Sequence, residues 1–262
     1  MAAEENMSVP AFRRGIYNSK PKTAREAVEQ LVWANRILSN ESIFDYLGHV
    51  SVRNPENPDS FFISRGISPE TVTTEDILEV DQEGTVITRT EWKPYSERMI
   101  HGAIYKVRPD VRSVVHAHPI DLVTISVSEV PVRMVTHLAS VFYEGVPLYD
   151  GYDFASPNST GMLVQKKEEG ERVAKTLGPC NAMLMRGHGC NVVGSSIPDA
   201  VRNVIALRDN VVILLGAQQF GKVRVLTYEE AKVAARSLGE PERGWDYWVA
   251  RVRRNMPDMR KQ

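Results

Sequence analysis

The chain has 262 residues, 42% hydrophobic and 25% charged, and its 32 basic residues nearly cancel 33 acidic ones to leave a net charge of -1. That apolar content suffices for one large domain or two small ones, and near-neutrality argues against nucleic acid or an anionic membrane as the main partner, because phosphate neutralisation needs a clustered basic excess. Two cysteines, Cys180 and Cys190, no leader-like N-terminal core and no apolar run of roughly 20 residues exclude a disulfide scaffold and a bilayer-spanning helix, so the expectation is a soluble cytoplasmic protein with a small-molecule partner.

Met1 to Pro21 mixes Pro, Gly, Asn and charge without periodicity and reads as an N-terminal arm, leaving residues 22–262 as one domain. From Thr23 to Ser39, apolar residues at Ala27, Leu31, Ala34, Ile37 and Leu38 recur at three- and four-residue steps, which predicts an amphipathic helix with Thr23 as its N-cap. Short β-branched runs at Val50–Arg53, Phe61–Ile63, Ile77–Val80 and Val86–Thr88, separated by Asn-Pro, Ser-Pro and Gln-Glu-Gly breaks, predict strands. Helical spacing returns from Ser96 to Val107 and is closed by Pro109, and Val111 to His116 then reads as a strand. Beyond it the pattern predicts a helix over Ser159–Leu177, strands at Ala182–Met185 and Cys190–Val193, and a long helix from Pro198 to Gln219 with proline in its first turn. Two more helices, Thr227–Leu238 and Glu240–Asn255, complete the chain, the last carrying Trp245, Tyr247 and Trp248. This alternation fits helices covering a sheet, an α/β or α+β domain.

The strongest chemical signal is His116-Ala117-His118 at the end of an apolar strand. Residues two apart on a strand share a face, so both imidazoles project together, a geometry that suits two metal ligands, although His-x-His also occurs on ordinary polar strand edges. His188 lies between glycines in a turn joining two strands, where its ring can face a cavity or simply bond to backbone. Three histidines around one divalent ion leave a position open for a substrate. Cys190 is the rival ligand, but it sits in an apolar strand and reads, like Cys180, as a buried structural thiol. Glu97 and His101 stand one turn apart at the start of a helix, where a carboxylate is often no more than a favourable partner of the helix dipole.

Several segments together resemble the class II aldolase/adducin family. Gly48-His49-Val50-Ser51-Val52-Arg53 is similar to that family's Gly-Asn-x-Ser-x-Arg, Ile63-Ser64-Arg65-Gly66 to its Thr-Pro-Ser-Gly turn, and Lys93-Pro94-Tyr95-Ser96-Glu97 to its Lys-Pro-Ser-Ser-Glu. Arg108-Pro109-Asp110, His116-Ala117-His118 and Arg186-Gly187-His188-Gly189 complete the series in the same order, over residues 23 to 236. The resemblance implies a three-layer αβα fold with a mixed, largely antiparallel sheet, commonly a homotetramer with active sites at subunit contacts. It also implies one divalent metal ion per subunit held by His116, His118 and His188, with Glu97 joining the metal or acting as acid/base. The ion is zinc in the aldolases and manganese, cobalt or iron in related members, a choice that this donor set does not make.

The shared chemistry implied is Lewis-acid stabilisation of an enediolate as a carbon–carbon bond breaks. Where sugar-phosphate members hold phosphate, this sequence has His49, Ser64 followed by Arg65, and Tyr95 before Ser96. These changes towards bulk and positive charge suit a flat or carboxylate-bearing molecule, with Arg65 as a bidentate carboxylate clamp. The expectation is therefore a decarboxylase of a hydroxylated aromatic or hydroxy/keto acid. Retro-aldol cleavage of a hydroxy-carbonyl substrate, an iron-dependent oxygenase of the same fold and an adducin-like interaction module are the alternatives. Glu97, Tyr95 and His49 are the catalytic candidates, Arg65, Ser64, Ser96 and Tyr247 the substrate-binding ones, and His101 and His137 candidates for support around them.

Overall fold

The computed structural model describes residues 20–261. Of the expected arm, residues 1–19 lie outside the described residues. The first helix, α1 (Ala24–Asn40), starts as its sequence dictates: Thr23 Oγ1 accepts the Glu26 N–H at 3.2 Å, and the Glu26 carboxylate accepts the Lys22 N–H at 2.8 Å.

Among the described residues, seven strands form one sheet: β1 (His49–Arg53), β2 (Ser60–Ser64), β3 (Ile77–Asp81), β4 (Ser113–Ala117), β5 (Leu148–Tyr149), β6 (Ala182–Met185) and β7 (Gly189–Gly194). They lie in the order β3-β2-β1-β4-β7-β6-β5, and every neighbouring pair is antiparallel except β5 with β6. This is the mixed, largely antiparallel sheet of an α/β fold. On one face, α1, α3 (Ile120–Ser126), α5 (Ile197–Gln218) and α7 (Glu242–Asn255) bury a continuous apolar cluster that includes Leu31, Ile37, Leu122, Val201 and Trp245. On the other, α2 (Arg98–Val107) and α4 (Lys167–Leu177) pack on each other and on the sheet through Ile100, Ile104, Val173 and Leu177. The remaining helix, α6 (Tyr228–Arg236), is capped by Thr227, whose Oγ1 accepts the Glu230 N–H, and packs against a short 3-10 helix at Leu138–Phe142. Among the described residues, no helix is long and apolar enough to cross a membrane.

The structure differs from the sequence expectation in three places. The predicted strand Val86–Thr88 makes only a single bridge, Val86 with Val80. The Thr88 hydroxyl takes the Glu79 N–H in place of a backbone acceptor, so the ladder does not extend. The predicted helix Ser159–Leu177 begins only at Lys167, because Gly161 adopts φ +67 and the Glu169 carboxylate accepts the N–H groups of Gln165 and Lys166 at the true start. The chain before it is a looped strap that reaches His188, in the turn between β6 and β7, through the Met162 carbonyl. Finally, α3 and β5 fall in segments that the sequence left unassigned.

Candidate metal centre

Strand alternation places the site. Val50 and Val52 of β1 and Val115 and Ala117 of β4 face the α1/α5 side, which turns His49, Ser51 and His116 towards α2 and α4. The register pairs His49 with His116 and His116 with Asn191, so the three lie in a row across β1, β4 and β7. His118 follows at the strand's end, and the β6–β7 turn delivers His188. Gly189 makes this approach possible: a Cβ there would lie 2.3 Å from the Ala117 carbonyl oxygen and 2.7 Å from His118 Cδ2.

One candidate ligand atom from each of Glu97, His116, His118 and His188 lies within 4.8 Å of all the others. His116 and His118 bring their Nε2 atoms to 3.0 Å, and Glu97 Oε2 is 3.6 Å from Nε2 of both His116 and His188. The far side of every ligand is anchored. Nδ1 of His116 lies 2.8 Å from Asn191 Oδ1, Nδ1 of His118 3.2 Å from Asp45 Oδ1, and Nδ1 of His188 3.0 Å from the Met162 carbonyl oxygen. All three partners are oxygen acceptors, so each imidazole carries its hydrogen on Nδ1 and turns the Nε2 lone pair inward. Glu97 follows the same logic: Oε1 accepts the Val164 N–H at 2.9 Å, which leaves Oε2 in the cluster.

Electrostatics agree with a cation site. Burial pushes the Glu97 carboxyl up, but His188, His116 and the Val164 N–H outweigh it and hold it at about 2. Burial drives His116 well below the ordinary imidazole value, so it is neutral, as a metal ligand must be. Three imidazoles and one carboxylate, convergent on one point and orientated from behind, fit a divalent transition ion or zinc.

The other sequence candidates divide. His49 lies against the centre, its ring stacked on His116 at 4.9 Å and against Tyr95 at 4.6 Å. His101 stands directly behind it, with its Nε2 2.7 Å from His49 Nδ1. Gly66 N–H donates to the Lys93 carbonyl at 2.9 Å, which draws the Ser64–Gly66 turn beside Tyr95. The Tyr95 hydroxyl donates to the Ile67 carbonyl at 2.5 Å; burial raises its pKa, with Ser64 and that backbone bond opposing. Its proton is thus engaged in the wall of the site. Ser64 is fully buried and Ser96 is exposed.

Two of the substrate-binding candidates have other partners within the chain. Arg65 donates from Nε to Asp76 Oδ1 at 2.7 Å and its guanidinium covers the Trp92 ring at 4.7 Å, so its Nε edge and part of its charge are engaged. Tyr247 stands apart from the ligand cluster, because α7 buries Trp245, Trp248, Val249 and Val252 on the opposite face of the sheet and turns Tyr247 outward over Arg251. His137 bonds through Nε2 to Ser237 Oγ at 3.0 Å, tying its loop to the end of α6.

Sequence reasoning missed Asp45, Asn191, and the strap's Met162 carbonyl and Val164 N–H. A lone amide in the apolar run Cys190-Asn191-Val192-Val193 was a readable signal, since a buried amide needs a partner. The two backbone groups carry no side-chain signal at all.

Residues 29–215 match the family model described as Class II Aldolase and Adducin N-terminal domain. The chain is 31% identical to decarboxylase tropJ of Talaromyces stipitatus over 66% of its own length and 70% of that protein's. It is 27% identical to a 3,4-dihydroxyphthalate decarboxylase of Arthrobacter keyseri over 71% and 77%. Among solved structures, an L-fuculose 1-phosphate aldolase from Glaciozyma antarctica PI12 is similar with a TM-score of 0.72 at 27% identity, covering 89% of this chain and 92% of that one.

Proposed function

The chain belongs to the class II aldolase and adducin family, and from that premise we propose that it is a divalent-metal-dependent carbon–carbon lyase that decarboxylates a hydroxylated aromatic acid or a hydroxy/keto acid. The observation that carries this reading is the wall beside the ligand cluster. It is made of two planar rings, His49 and Tyr95, while the nearby cation Arg65 is paired through Nε with Asp76. A phosphate dianion needs uncompensated positive charge and small hydroxyl donors, whereas a flat, conjugated acid packs against rings. The names of two relatives, both decarboxylases, point the same way.

His116, His118, His188 and Glu97 would hold the ion. When bound, it supplies Lewis acidity, offsetting the negative charge that develops on substrate oxygens as the carbon–carbon bond breaks. The chain's own residues do the rest. His49 and Tyr95 orient the substrate ring. Glu97 is ionised and has Oε1 anchored on the Val164 N–H; where substrate displaces Oε2 from the ion, that oxygen would take the proton of a substrate hydroxyl and return it to the carbon that carbon dioxide leaves.

The assembly we propose is a homotetramer in which a neighbouring subunit closes the site. Exposed apolar side chains at Tyr46 and Leu47, beside Asp45, and at Ile120, two residues past His118, support such a cover, since apolar groups grouped around a mouth are ordinary at interfaces.

The test is anaerobic incubation of metal-loaded protein with hydroxylated benzoic, phthalic and keto acids. Release of carbon dioxide without consumption of oxygen is the expected result, and Glu97→Gln, assayed at metal concentrations that keep the site filled, should lower turnover by about 10²–10⁴. A retro-aldol enzyme, the reading favoured by the likeness to the aldolase structure, would instead yield an aldehyde. Unchanged turnover in the Gln variant would remove Glu97 from the proton transfer.

A further inference from the structure

Behind the metal centre, between β1 and α2, four buried side chains form a line: His49, His101, Ser51 and Tyr105, none more than 1% exposed. His49 Nδ1 lies 2.7 Å from His101 Nε2, His101 Nδ1 lies 2.6 Å from Ser51 Oγ, and Ser51 Oγ lies 2.8 Å from the Tyr105 hydroxyl. The placement follows from two periodicities: positions 49 and 51 share a strand face, and positions 101 and 105 are one helical turn apart.

The hydrogens in such a line can run in either direction, because a neutral imidazole donates from one nitrogen and accepts at the other. Counting them selects one. Tyr105 has a single hydroxyl hydrogen, and among the described residues Ser51 Oγ is the acceptor it reaches; its other polar neighbour, the Val114 N–H, is itself a donor. Tyr105 therefore donates to Ser51. The Ser51 hydroxyl must then donate to His101 Nδ1, and the His101 hydrogen, on Nε2, goes to His49 Nδ1. That leaves the His49 hydrogen on Nε2. The opposite direction would strand the Tyr105 hydrogen without an acceptor in a site closed to water, the costly case for a buried donor. His49 Nε2 itself has no partner among the described residues, and its ring lies flat on the metal ligand His116.

We propose that Ser51 and His101 are positioning residues that lock His49 in the Nε2–H tautomer, so that it offers a neutral hydrogen-bond donor to an anionic oxygen of the substrate at the metal centre. The donor's target, a carboxylate or an oxygen that gains charge as the carbon–carbon bond breaks, rests on the lyase reading; the tautomer does not. His49 is thereby an electrostatic stabiliser and not a base, since the nitrogen that His101 leaves free carries the hydrogen.

The experiment is nitrogen NMR of protein labelled with 15N-histidine and loaded with diamagnetic zinc, with the His49 signals assigned by their loss in His49→Gln. The expected spectrum has a hydrogen-bearing Nε2 and a bare Nδ1 at both His49 and His101. Tyr105→Phe should preserve it, because the Ser51 hydroxyl then has His101 as its acceptor, whereas Ser51→Ala should release the lock and show both tautomers at His49. In the same Ser51→Ala protein, kcat should fall about tenfold with metal content unchanged. A hydrogen on Nδ1 of His49 in the unmodified protein overturns the proposal, and that single spectrum is decisive even if a variant fails to fold. A correct tautomer with no carbon–carbon cleavage on any acid would leave the lock standing and remove the lyase reading.

Discussion

On the face of the sheet covered by α1, α3, α5 and α7, strands β1 and β4 present Val50, Val52, Val115 and Ala117; on the face covered by α2 and α4, the alternate positions of the same strands are His49, Ser51 and His116. The first set melts into a continuous apolar cluster, and the second binds its polar atoms to Asn191, His101 and Tyr105. A pleat of period two lets one strand serve both ends, provided that each buried polar group finds its partner. The contrast teaches that stability and chemistry are separable here at the level of single residues, and the two faces should respond differently to substitution.

The largest effect is expected on the polar face. His118→Ala removes an imidazole that lies past the end of β4, with 13% of its side chain exposed, so the sheet has little to lose. Substitution of residues that merely orient a ligand typically costs 10–100-fold in metal affinity, so loss of a ligand itself should exceed about a hundredfold. Metal analysis after dialysis should find the ion gone and turnover gone with it, while thermal unfolding of the metal-free proteins is nearly unchanged. Full retention of metal in this variant would break the four-ligand centre.

A smaller effect, and of the other kind, is expected from Leu31→Ala, a fully buried side chain of α1 on the apolar face. The lost burial plus the cavity should cost about 2–5 kcal/mol in urea unfolding of the metal-free protein. Metal affinity of the folded protein should stay where it was. If affinity moves with stability, the two faces are coupled and the division between them is too sharp.

Those features that repeat along the chain were legible before the structure. The helix cap at Thr23, the alternation of β1 and β4, and the shared face of His116 and His118 follow from short-range pattern, whereas the joining of His188 and Glu97 to that pair was implied by the family resemblance. What stayed hidden has a common cause. Arg65 read as a substrate clamp because its partner Asp76 comes from a separate 3-10 turn, and a charge is called free only until its tertiary neighbour is known. The strap before α4 read as helix because its composition is helix-compatible; Gly161 and the Glu169 cap stop it, and the loop so released brings the Met162 carbonyl and Val164 N–H to the ligands. Backbone groups have no sequence signature, so that part of the anchoring around the metal centre becomes visible only in three dimensions.

The finest distinction between the faces is their response to acid. Burial lowers His101 to about 3, with Glu97 pulling the other way, from an ordinary value near 6.5. Below about 6.5 the unfolded chain takes up a proton at this position, and the folded one does not until near 3. Across that window the unfolded state binds more protons, so stability is full above it and falls as the pH drops, with a slope approaching about 1.4 kcal/mol per pH unit for this one group. His101→Gln removes the titrating ring and should flatten the measured slope by about that amount between roughly pH 6 and 4, in metal-free protein where ligand protonation is common to both samples. Leu31→Ala, in contrast, should shift the whole curve downward without changing its slope, since no proton is bound or released at a leucine. A slope unchanged in His101→Gln would mean that the imidazole is already solvated in the native state, and the line from His49 to Tyr105 would then have no closed environment to order it.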